Sequence, residues 1–136
     1  MIIPKLPRRA DLIAIAYGLL LFAWLSLEDH SALPPAVLGA GAAVLIGLRW
    51  ILIHMGGATI HMRSALLIAV LWGAAIGAGA ALAAALLMFF KTAWHAHPFP
   101  DYPLPMIVEM LTRSPAWAAA GGFAALAGVM FRSAAT

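Results

Sequence analysis

Four long apolar runs separated by short polar breaks dominate the chain. They cover 10–27, 35–54, 64–90 and 115–131, and interrupting charges are rare: Asp11 sits at the edge of the first run and Arg49 inside the second. The hydrocarbon core of a bilayer, ~30 Å thick, is crossed by about 20 apolar residues in helical form, with a range of roughly 17–25. None of the runs alternates polar and apolar residues at period two, so a transmembrane barrel is excluded and helices remain. Lipid gives exposed backbone groups no partner, and a helix satisfies them within itself. The pattern predicts an all-α membrane protein, 1–136 as one domain, with four transmembrane helices in a compact bundle. The third run, 27 residues without a charge, is longer than the bilayer needs and must tilt or project.

The breaks have their own chemistry. Pro34-Pro35 cannot continue a helix but suits the first turn of a new one. Gly56-Gly57 ends the second run before a short turn. The segment 91–114 is the one long connection. It carries Pro98, Pro100, Pro103 and Pro105, and its second half, 106–112, is compatible with two turns of interfacial helix. A connection this long in so small a protein is more often functional than incidental. The N-terminal residues look superficially like a secretory signal, but Glu28, Asp29 and His30 stand where a small-x-small cleavage site belongs. The first run is therefore expected to be a retained span.

Composition closes off most alternatives. Of 136 residues, 65% are hydrophobic and 10% charged, and the mean hydropathy is +0.99. Soluble domains carry about 25% charged residues, so a soluble enzyme and a disordered tail are ruled out. The net charge of +3 is not a nucleic-acid footprint, because the basic residues are scattered at helix ends rather than gathered in one patch. With no cysteine there is no disulfide, thiolate metal site or iron–sulfur cluster. The distribution of Lys and Arg sets an orientation. Lys5, Arg8, Arg9, Arg49, Arg63 and Arg132 fall on one side of the four runs, and only Lys91 and Arg113 on the other. The richer side faces the cytoplasm. Both ends of the chain are thus expected inside, with 91–114 extracytoplasmic, in the inner membrane of a bacterium.

Candidate functional residues are few. Gly39, Ala43 and Gly47 recur at four-residue spacing in the second run, Gly73 and Gly77 form a GxxxG in the third, and Gly122 and Gly128 follow Ala118 and Ala124 in the fourth. Small residues let helix backbones approach closely in lipid, so these positions point to helix packing, within the bundle or against partner helices. Arg49 is an intramembrane charge, close enough to the end of its run for its guanidinium to reach the boundary by snorkelling, the alternative being a buried structural pairing or a substrate contact. Histidine is the best chemical lead. His95 and His97, two apart, would lie on one side of an extended segment and could join Asp101 as metal ligands, while His54 is a candidate cofactor ligand. No GxSxG motif and no carboxylate deep within a run is present, which disfavours nucleophilic catalysis and proton-coupled transport.

The function expected on these grounds is that of a small non-catalytic structural or accessory subunit. Its partners would be membrane lipids and other transmembrane helices, in a hetero-complex or a homo-oligomer, and not nucleic acid. The alternatives are an oligomeric channel or transporter for a small or lipidic solute, and an outer-interface metal, haem or pigment site built on His95 and His97. No cofactor is specified by the sequence.

Overall fold

The computed structural model describes residues 2–95 and 98–134. Among them the chain is all-helical, with no strand. Helix α1 spans Ala10–Leu25, α2 Leu33–Met55, α3 Met62–His95, α4 Leu104–Thr112 and α5 Ser114–Ala134. Three of these, α2, α3 and α5, are long and apolar enough to cross a membrane, and α1, at 16 residues, is shorter.

The local signals explain the boundaries. Pro34 and Pro35 occupy the first turn of α2, where a missing N–H costs nothing. At the other end Gly56 caps α2, and Gly57 takes φ +87°, a left-handed conformation that side chains resist. That turn is covered by the N-terminal segment. Gly57 N donates to Ile3 O at 2.8 Å and Ile3 N to Ala58 O at 3.0 Å.

α3 organises the molecule. Its 34 residues make a rod of about 51 Å at 1.5 Å per residue, and α2 and α5 pack along it antiparallel through glycines. A Cβ on Gly39 would fall 2.7 Å from Ala84 Cα, and one on Gly47 would meet Ile76 Cγ1 at 2.5 Å. On the other flank, a Cβ on Gly73 would lie 2.6 Å from Ala125 Cβ, and one on Gly77 would lie 2.7 Å from the Trp117 carbonyl carbon. Gly121 belongs to the same seam, its added Cβ falling 3.1 Å from Gly77 Cα. Ala43 lies at ordinary contact distance from a Cβ placed on Gly79, and a Cβ on Gly122 would lie 3.4 Å or more from its neighbours. A Cβ on Gly128 would meet nothing within 4 Å, so of the two kinds of packing expected for it only contact with a partner helix remains open.

The segment 91–114 is not a loop resting on a surface. α3 continues through Lys91 to His95, so the connection begins later than the charge pattern suggested. Contacts between α3 and the returning chain keep one antiparallel register. Tyr102 meets Thr92, Trp117 meets Gly77, and Gly121 meets Gly73, so each step down one helix matches an equal step up the other. α4 therefore continues the line of α5 along α3, interrupted only at Arg113. Pro115 accounts for the interruption, since it lacks an N–H and its ring clashes with the preceding turn, and it sits in the first turn of α5, where both are tolerated.

Candidate functional site

Polar side chains converge where the C-terminal end of α3 meets the α1–α2 connection and residues 98–103. Lys91, the first charge after the apolar stretch of α3, is fully buried. Its Nζ donates to Trp24 O at 3.5 Å and stands 4.2 Å from the centroid of the Trp24 ring. Trp24 lies in the last turn of α1, where its carbonyl also accepts from Leu27 N at 3.1 Å and the helix dipole favours a cation. Lys91 of α3 thus caps α1 from outside. The Trp24 indole N–H has no acceptor among the described residues, so the residue contributes its carbonyl and its π face.

One turn along α3, His95 Nδ1 is bonded to Asp101 Oδ2. The Asp101 side chain is 1% exposed and that of His95 15%. On the opposite side, His30 Nδ1 donates to the Asp101 carbonyl at 3.4 Å and lies 3.7 Å from Oδ1. A single buried carboxylate therefore sits between two imidazoles from different parts of the chain. Tyr102 completes the arrangement. Its hydroxyl donates to Ser31 O at 3.1 Å, and its backbone N–H donates to Thr92 Oγ1 at 3.0 Å. Beneath these groups lie Met88, Ala84, Ala85 and Met110, all buried with Trp24 and Tyr102 in one cluster.

Burial raises the Tyr102 phenol well above the usual tyrosine range, and the nearby Asp29 and Asp101 carboxylates push it further in the same direction. The linkage follows from that direction. The folded state holds the Tyr102 proton more tightly than the unfolded chain, so its contribution to stability is complete below pH ~10 and declines as the pH climbs above it. Alkaline titration in detergent should show loss of helical packing beginning near pH 10. Tyr102→Phe, which lacks the ionisable group, should reduce that alkaline loss while lowering stability at neutral pH by about 1 kcal/mol for the missing hydrogen bond. Identical alkaline profiles for the two proteins would contradict the assignment.

Of the residues expected to bind a metal, His95 and Asp101 are brought together and His97 lies outside the described residues. His95 ends a helix rather than lying in an extended segment. Among the described residues no group of three or more histidine, aspartate or glutamate side chains is set to hold a metal ion. His54, the candidate cofactor ligand, stacks on Trp50 with centroids 4.4 Å apart, and its Nδ1 donates to the Trp50 carbonyl at 2.8 Å. Trp50 in turn stacks on Trp72 at 4.5 Å, whose indole N–H donates to Gly47 O at 3.0 Å. These rings form a ladder joining α2 to α3.

Arg49 Nη1 pairs with Asp11 Oδ1 at 2.5 Å, tying α2 to the start of α1. No family model matches this chain, nor does any curated protein or solved structure.

Proposed function

We propose that the chain is a membrane-embedded accessory subunit with four crossings, one each for α1, α2, α3 and the α4–α5 line, and with both ends on the cytoplasmic side. An even number of crossings is supported by the contact between the two ends of the described chain, where Arg132 Nη2 donates to Ile2 O at 3.2 Å. The charge-free stretch of α3 between Arg63 and Lys91 is 27 residues, about 40 Å long. Seating it within a core of ~30 Å requires a tilt of about 40°, at the upper end of the range for such helices. The neighbours ask for the same tilt. α1 flanks the C-terminal half of α3, through Trp24 and Lys91, whereas α5 flanks the N-terminal half, through Gly73 and Gly77. Their apolar bands are staggered along α3, and tilting that helix brings them to one level.

The observation that carries the accessory reading is the use made of the buried polar groups. Lys91, Asp101 and Tyr102 are each engaged in tying one helix end or connection to another. Meanwhile the flanks of α1, α2, α3 and α5 expose Leu19, Phe22, Ile46, Leu71, Phe123 and Phe131. A bundle built this way presents apolar helices to lipid and to other helices. The expected result is that protein extracted in mild detergent migrates on native gels, and appears in native mass spectra, as an assembly larger than its own 14.3 kDa. A strictly monomeric species under every mild extraction would overturn the proposal.

A further inference from the structure

Because α2 and α5 pack on different faces of α3, a groove of about 560 Å³ stays open between α2 and the α4–α5 junction. Its α2 wall is formed by small apolar side chains including Ala36, Val37 and Ala40. The facing wall carries Met110, Arg113 and Trp117. With α3 tilted as proposed above, Arg113 and the first turn of α2 fall at one boundary of the hydrocarbon core. Trp117 lies just inside that boundary, where indoles concentrate.

The one charged residue lining this groove, Arg113, is paired with Glu109, one turn earlier in the chain and beside the groove rather than in its wall. Arg113 Nη2 donates to Glu109 Oε1 at 2.5 Å, and the two side chains are 54% and 63% exposed. A guanidinium has five N–H donors, and the remaining ones of Arg113 make no hydrogen bond among the described residues. The second oxygen of Glu109 likewise keeps its acceptor capacity. A cation and an anion standing side by side at the edge of an apolar groove complement a head group that carries a phosphate beside an ammonium. Arginine is well suited to a phosphodiester, which its planar fork engages through two N–H groups. A primary ammonium, with three N–H donors, suits the carboxylate.

We propose that this groove binds one phospholipid with a primary-amine head group, its phosphate on Arg113, its ammonium on Glu109, and an acyl chain against Ala36, Val37 and Ala40. The assignment rests on the bilayer placement above. The pairing also explains why a charged pair stands at the lip of a groove whose other wall is apolar.

The test uses the full chain in nanodiscs of defined composition, followed by native mass spectrometry of retained lipid. Discs contain phosphatidylethanolamine, phosphatidylcholine and phosphatidylglycerol in equal amounts. Phosphatidylethanolamine should be retained preferentially, and Arg113→Gln and Glu109→Gln should each lower that retention about tenfold, as expected for the loss of a charge-assisted hydrogen bond. Arg132→Gln, at the far end of the protein, should leave retention unchanged. Equal retention of the three head groups, preference for phosphatidylglycerol, or insensitivity to both groove substitutions would overturn the site. Displacement of the lipid by millimolar inorganic phosphate would show a free-anion site instead and would also overturn it. Failure of the protein to enter nanodiscs at all would count against the bilayer placement rather than the head-group assignment. Both Arg113 and Glu109 are exposed, so an unchanged thermal midpoint in each variant separates lost binding from lost folding.

Discussion

Asp101→Ala should cost about 3–5 kcal/mol of stability, the range for removing one partner of a buried, hydrogen-bonded charge arrangement. The Asp101 carboxylate is buried beside His95, it faces His30, and its charge acts on Lys91. Removing it leaves the fully buried Lys91 ammonium with the Trp24 carbonyl and ring and the charge of Asp29. A cation in so apolar a setting that loses one of its two neighbouring carboxylates is penalised by desolvation that one long hydrogen bond does not offset. The damage should spread to α1, which leans on the rest of the bundle through few contacts, Lys91 and the Tyr17 hydroxyl on Leu38 O among them. Replacing both charges by apolar groups, as in Asp101→Leu with Lys91→Met, should recover much of the loss, because neither ion is then left buried alone. Detergent-solubilised protein unfolded by heat or SDS, followed by circular dichroism, measures all three proteins. A single-variant loss below about 1 kcal/mol would show that Asp101 does not hold this end of the bundle together.

α2, α3 and α5 were legible in the sequence because an uninterrupted apolar run long enough to cross a membrane reads as one helix. The turn at Gly56-Gly57 and the start of α2 at Pro34-Pro35 were legible for a similar reason, as each depends on a backbone property of the residue itself. The fate of 91–114 was not. Lys91 looks like the end of a helix when read as a charge. It remains helical because Trp24, distant in sequence, offers it a carbonyl and a ring. Likewise Pro98 to Pro105 announce a break but not that the chain beyond resumes the register of α5 against α3. For the site, His95 and Asp101 were identified by residue type, while Lys91, Thr92 and Tyr102 were missed. Lysine at the end of a long apolar run is ordinarily a snorkelling residue, and tyrosine near a boundary is ordinarily part of the aromatic belt. The signal that distinguishes them is tertiary, since each reaches a backbone or side chain supplied by another element. Arg49 teaches the same lesson in reverse. Asp11 was visible as an edge charge, and nothing local shows that α1 and α2 bring the two side chains together.

The glycine seam between α3 and α5 gives the second large effect. Gly77→Leu should destabilise the protein by about 3 kcal/mol or more, at or beyond the upper end for overpacking a close contact. The added Cβ would meet the Trp117 carbonyl and lie 3.0 Å from Ala118 Cα, so the obstruction is backbone and cannot be relieved by a rotamer change. The helices must separate, and every small-residue contact along the seam, from Gly73 with Gly121 to Gly77 with Trp117, is lost with it. In lipid this loss is not compensated by a hydrophobic drive, because displaced helices exchange one apolar surface for another. Gly128→Leu makes the control, since its added side chain enters open space and gains helix propensity. Its stability should be unchanged or slightly higher. Thermal midpoints of the two variants in the same detergent provide the comparison. Equal midpoints would mean that α3 and α5 do not meet through these glycines. A Gly128→Leu protein that is stable but no longer assembles would instead place an intermolecular contact on the outer face of α5.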